Sequence, residues 1–309
     1  MIESLNLNGW YPSFADVAEI DAYLIEEWRI GHIYDWESQV ELIEKMGRKK
    51  WRRFESLLSR NSEKLVTDAM TDFDIHALHV SQCRRAYVLD QMAVTFAWMN
   101  RVGTNGDVLD IGCQNGILLT YLAQRFPNRF YGIDPSTKSI AFARQRHERL
   151  TNLVFDVGSL PVALDRKYDL IICNDVLHHL NVSDQHAAAS SIFTSLNDGM
   201  AAIIATQTFE DQSWWDAIQP AMSEHGILLV AGGRVGGCIH GGSGSWPAEW
   251  ASSGIGIFQK LGNAEPMNSK GLRDRSDFYW ANFFKPYANN PSTPWSQKTM
   301  AYEAARRSK

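Results

Sequence analysis

The sequence has few cysteines, no CxxC pair, no long apolar run and no excess of positive charge. Cys83, Cys113, Cys173 and Cys238 are widely spaced, which argues against a disulfide framework and a zinc site. They read as reduced thiols, so a cytoplasmic protein is expected. No basic-then-apolar leader opens the chain and no apolar stretch reaches ~18 residues, so neither export nor membrane spanning is expected. A net charge of −5 argues against a dedicated nucleic-acid binder, while leaving room for a local basic face. The glycine-dense segment 226–256 holds ten of the 22 glycines, but no lysine follows at phosphate-loop spacing. It is expected to be a mobile loop or lid.

What is present is ample for a core. The 309 residues are 45% apolar, enough for one large α/β domain plus an appendage. The chain is organised around VLDIGCQNG, residues 108–116. Val108, Leu109 and Ile111 suit a strand buried on both faces, and Asp110 lies at its carboxyl end. Gly112 and Gly116 bracket a tight turn, and ILLTYLAQRF follows with helical spacing. Strand and helix then alternate, with strands at 108–111, 130–133, 153–155, 168–173 and 200–206. Asp134, Asp156 and Asn174 stand at successive strand ends. This order predicts a doubly wound, mostly parallel sheet with its ligand at the strands' carboxyl ends. Strands at 255–261 and 278–284 would make seven.

Residues 1–104 read as a helical cap, with helices opening near Ser13, over 37–60 and over 75–101. The run KMGRKKWRRF (Lys45, Arg48, Lys49, Lys50, Arg52, Arg53) reads first as a solvated face balanced by Glu37, Glu41, Glu44 and Glu55. The alternative is a basic face for RNA or an anionic ligand. Arg85 could reach a carboxylate bound at the glycine turn. The main domain is expected over 105–285 and an irregular tail over 286–309.

As a set, these motifs resemble the class I S-adenosylmethionine-dependent methyltransferases. VLDIGCQNG is similar to the family's glycine signature, with Gln114 where a third glycine often stands. YGIDPS matches the ribose-binding turn at Asp134, and FDVGSLP the adenine-binding segment. YDLIICNDVLHHL resembles the segment after strand four of many small-molecule methyltransferases. The resemblance implies S-adenosylmethionine as cofactor and S-adenosylhomocysteine as product. The residues expected to hold it are Asp110, Gly112, Cys113, Gln114, Gly116, Asp134, Pro135, Asp156, Val157 and Asn174, with Arg85 added from outside the resemblance as a cation within reach of its carboxylate.

Methyl transfer from a sulfonium needs chiefly alignment of the acceptor. If a proton must leave, His178 and His179 are the candidate bases. Trp214, His240, Trp246 and Trp280 are candidate acceptor contacts, and aromatic walls suit a planar small molecule. NDVL after strand four is not the NPPY-type sequence of base methylation, and Ile172 precedes Cys173 where attack on cytosine would want proline. A small-molecule acceptor is therefore expected, with O- or N-methylation, no metal and no membrane partner. An RNA- or tRNA-modifying enzyme and a non-catalytic cofactor-binding protein are the alternatives. The N-terminal helices offer a surface for a homodimer.

Overall fold

The computed structural model describes residues 12, 14–31, 36–58, 63–81, 85–103, 106–161, 166–206, 212–234 and 254–261. The sheet has seven strands: β1 (Val108–Ile111), β2 (Phe130–Asp134), β3 (Leu153–Val157), β4 (Tyr168–Asn174), β5 (Leu196–Thr206), β6 (Ile227–Arg234) and β7 (Gly254–Lys260). Their order is β3-β2-β1-β4-β5-β7-β6. β1 to β5 run parallel, and β7 enters antiparallel to β5 and β6. The expected doubly wound, mostly parallel seven-stranded sheet is thus observed.

Alternate residues of the central strands feed two apolar layers, as the two-residue strand period requires. Val108, Leu170, Ile172 and Ile203 face one layer, with α1 (Phe14–Trp28), α6 (Arg85–Arg101), α7 (Ile117–Ala123) and α8 (Thr137–Arg146). Leu109, Ile111, Ile171 and Ile204 face the other, with α9 (Val182–Thr194) and α10 (Gln212–Glu224). Most of these strand side chains are fully buried, and burial contributes about 1.5–3 kcal/mol for each large aliphatic. Ser136 caps α8 by accepting from the Ser139 N–H at 3.2 Å, as its position after β2 predicts.

The glycine-dense segment departs from the expected loop. Residues 227–234 form β6, because Ile227, Leu228, Leu229 and Val230 supply a buried strand before the glycines begin. Gly232 and Gly233 continue the ladder opposite Gly256 and Ile255. The hairpin partner of β7 is therefore β6, not the expected strand at 278–284. That stretch, like 235–253, lies outside the described residues.

The helical region also differs in detail. The stretch expected as one helix over 37–60 is two, α2 (Trp36–Met46) and α3 (Arg48–Leu58), separated by Gly47. The helix expected over 75–101 is α5 (Phe73–His79) followed by α6, and α4 (Glu63–Ala69) precedes them. α1 and α6 share the core of the sheet, so the boundary expected at 104/105 does not divide two cores. A smaller cluster around Trp51, Phe54, Met70 and Leu78 joins α3 to α5. Polar contacts tie these helices down. Tyr23 accepts from Trp28 Nε1 at 2.9 Å and donates to the Ile117 carbonyl at 3.2 Å. Arg125 bonds Glu19 at 2.7 Å and lies 3.7 Å over the Tyr121 ring. Among the described residues, no helix is long and apolar enough to cross a membrane.

Candidate functional site

The carboxyl ends of β1, β2 and β4 open into a cavity of about 560 Å³. Its floor is the turn after β1. Gly112 has φ +78, and a Cβ there would stand 2.3 Å from Val176 Cγ2, so a side chain is excluded on two grounds. Gln114 has φ +49, a left-handed conformation that glycine adopts more readily. The one residue departing from the glycine signature thus keeps the backbone geometry a glycine would give. Its N–H donates to Asp134 Oδ2 at 3.0 Å, and the Ser136 N–H donates to Oδ1 at 2.8 Å. Two backbone donors therefore fix the Asp134 carboxylate, and each oxygen retains a lone pair for a ligand.

Asp110 and Asp134 are nearly inaccessible, at 5% and 4% exposure. Burial raises the Asp110 carboxyl well above its ordinary range, and repulsion from Asp134 adds to this. Burial also raises Asp134, opposed by its bonds to Ser136 and Gln114. Two buried carboxylates on one wall suit a ligand that brings positive charge and hydroxyl donors. A cationic ligand favours ionised Asp110, so its affinity is expected to rise as pH climbs above the ordinary carboxylate range, by up to about tenfold per unit. Titration calorimetry of S-adenosylmethionine across pH measures this, and Asp110→Asn should flatten the slope. A flat wild-type profile contradicts it.

Of the cofactor candidates, Asp110, Gly112, Cys113, Gln114, Asp134, Pro135 and Asn174 line this cavity. Gly116 lies behind the turn, at the start of α7. Asp156 and Val157 are off the cavity wall. Val157 is 51% exposed, and Asp156, at the end of the edge strand, pairs with Arg144 at 2.5 Å. Gly158, Ser159 and Leu160 form the wall there instead. The side chain of Arg85 lies outside the described residues.

His179 lines the cavity and His178 is not on its described wall; their rings lie 4.0 Å apart. Trp214 is placed differently from expectation. It is 1% exposed, packed with Trp215 and Phe258 in the core beneath α10. Apolar positions of α10 face the sheet, which draws the indole inward. His240, Trp246 and Trp280 lie outside the described residues. The described wall holds no Trp, Tyr or Phe, so the expected aromatic lining is not found there.

The other side of the cavity comes from the helical cap. Val66, Thr67 and Met70 of α4 and its following turn, and Val88, Gln91 and Met92 of α6, close over the sheet edge. Asn115 locks this closure, donating from Nδ2 to the Met70 carbonyl at 2.9 Å. Sequence spacing gave no signal for these residues, apart from the apolar face of α6. Among the described residues, no group of three His, Cys, Asp or Glu side chains could hold a metal ion.

The fit to S-adenosylmethionine rests on donor and acceptor chemistry. The Asn115, Asn174 and Asp175 Oδ1 atoms are buried without a hydrogen-bond partner, and the residues carrying them line the same cavity as the acidic pair. Acceptors of this kind match an ammonium, a ribose and an adenine amine.

Residues 108–199 match the family described as a methyltransferase domain. A malonyl-[acyl-carrier protein] O-methyltransferase of Acetivibrio thermocellus is 32% identical over 143 residues, 43% of this chain and 50% of that protein. A tRNA U34 carboxymethyltransferase of Campylobacter fetus is 25% identical over 190 residues, 54% of this chain and 66% of that protein. The chain thus spans between half and two thirds of the length of these curated relatives. Among solved structures, the N-methyltransferase NodS of Bradyrhizobium japonicum is 16% identical with a TM-score of 0.45, covering 58% of this chain and 98% of its own. Residues 108–199 thus form a methyltransferase domain similar to those of the class I S-adenosylmethionine-dependent enzymes.

Proposed function

We propose that this chain transfers a methyl group from S-adenosylmethionine to a small-molecule acceptor held between the end of β4 and the helical cap. The observation that carries this reading is one cavity lined both by the acidic pair Asp110 and Asp134 and by α4 and α6. S-adenosylmethionine supplies, when bound, a methyl group activated by a neutral leaving group. Asp134 holds ribose hydroxyls through the lone pairs that its backbone donors leave open. Asp110 faces the positive charge of the amino-acid moiety. Val66, Met70 and Met92 exclude water from the acceptor side and so hold the acceptor in a narrow range of attack geometries. His179, on the rim, is placed to take a proton from an acceptor that must lose one.

One observation favours a second reading, an RNA acceptor. α3 buries Trp51 and Phe54 and exposes Lys49, Arg52 and Arg53 on its opposite face. A relative that modifies tRNA supports the same reading. The two readings separate cleanly. With [methyl-³H]S-adenosylmethionine, label is expected in a small-molecule extract of the host cell and not in its total tRNA. Label in tRNA alone overturns the small-molecule reading. The triple variant Lys49→Glu, Arg52→Glu, Arg53→Glu is then expected to leave S-adenosylhomocysteine binding within about twofold, as its charges are solvent-screened. Under the RNA reading it would weaken tRNA binding by at least about tenfold and flatten its salt dependence.

A further inference from the structure

The end of β4 carries two adjacent oxygens that no protein group satisfies. Asn174 Oδ1 and Asp175 Oδ1 are both buried and accept no hydrogen bond, and both residues line the cavity. An unmet buried acceptor costs about 1–3 kcal/mol, and more when charged, so such atoms mark a place for a donor.

Asp175 is held firmly. Its N–H donates to the Ala205 carbonyl at 2.9 Å, and its Oδ2 accepts from Gln91 Nε2 at 2.9 Å. Gln91 is 6% exposed on α6, so the cap fixes the carboxylate from above. Its φ of +57 lies in the left-handed region, where a side chain is tolerated at a cost and persists when surroundings impose it. The close fit of Val176 against Gly112 sets this turn directly on the glycine turn after β1. Among the described lining residues, the carboxylates are Asp110, Asp134 and Asp175, and there is no lysine or arginine. Both oxygens of Asp134 are already engaged by backbone donors. Asp175 is the carboxylate on the cap side, with one oxygen held by Gln91 and the other buried without a hydrogen-bond partner.

We propose that Asp175, positioned by Gln91, anchors the methyl acceptor through a hydrogen bond from the acceptor's own N–H or O–H. The acceptor is then an amine- or hydroxyl-bearing molecule and not a carboxylate or phosphate, which would meet three acids and no described cation. This rests on the reading of the cavity as an S-adenosylmethionine site.

Sinefungin tests it without knowledge of the acceptor, because it carries an ammonium-bearing carbon in place of the methylated sulfur. By titration calorimetry, the wild type is expected to bind sinefungin at least about tenfold more tightly than S-adenosylhomocysteine, as a charge-assisted hydrogen bond would give. Asp175→Asn, which suits the same backbone conformation, is expected to lose that preference while S-adenosylhomocysteine affinity stays within about twofold. Gln91→Leu, which frees the carboxylate, is expected to weaken the preference in the same direction. S-adenosylmethionine, whose sulfur carries charge but no hydrogen, should keep its wild-type ratio to the product in both variants. A preference that survives Asp175→Asn overturns the proposal, as does an equal loss for S-adenosylmethionine and sinefungin. A wild type that binds S-adenosylhomocysteine without preferring sinefungin overturns the anchor alone. A wild type that binds none of the three overturns the cofactor reading itself.

Discussion

Asp134→Ala is expected to weaken S-adenosylhomocysteine binding by at least about 100-fold, or about 2.7 kcal/mol. The loss has two parts. The ribose loses its carboxylate partner, and the part-buried N–H groups of Gln114 and Ser136 lose the acceptor that orders them. A donor left unmet costs about 1–3 kcal/mol when fully buried and less when water can reach it, and Gln114 is held at a positive φ that this bond helps to maintain. The turn after β1 should therefore loosen together with the ribose site. Asp134→Asn keeps one acceptor oxygen but turns an amide toward the other N–H, so an intermediate loss is expected. Calorimetry with the product measures both, and unchanged affinity in the alanine variant would contradict the placement of the ribose at β2.

The second large effect is expected at Gly116, the residue before α7. It has φ +81, and a Cβ there would lie 2.5 Å from Phe155 Cζ and 2.9 Å from Cε1. Phe155 is 3% exposed in the main core and has little room to yield. Gly116→Val adds a β-branched side chain to a backbone conformation it rarely adopts, against a packed ring. The cost is about 2–4 kcal/mol, or roughly 5–15 °C in melting temperature for a chain of this size. Because the same turn carries Cys113 and Gln114 along the cavity, product affinity should fall as well. A variant that melts and binds like the wild type would show that the turn is not under this constraint.

The parts of the molecule legible in the sequence are those encoded by local pattern. Val108–Ile111 and Tyr168–Cys173 are apolar runs interrupted only by Asp110 and Asp169, and both are central strands. The glycine turn and Asp134 could be placed because a tight turn and an acid at the next strand end are local requirements. β6 is not legible in the sequence because the glycines that follow Val230 resemble a loop, while the ladder with β7 that makes them strand is a tertiary contact. The position of Trp214 in the chain suggests a pocket residue, yet the burial of one face of α10 places it in the core. Asp156 matched its motif, but the pairing with Arg144 across the edge of the sheet has no local signature. The cap side of the cavity was the least legible. Met70, Gln91 and Asn115 meet the site through contacts that span tens of residues, and only the folded chain brings Gln91 to Asp175.

The most direct measurement is a crystal structure of the complex with S-adenosylhomocysteine. The expected result places both ribose hydroxyls at about 2.7 Å from the Asp134 carboxylate, the amino-acid moiety over Gly112 to Gln114, and the sulfur open toward Asp175 and the helical cap. A nucleoside bound away from Asp134, or a product whose sulfur is turned from the cap, would contradict it.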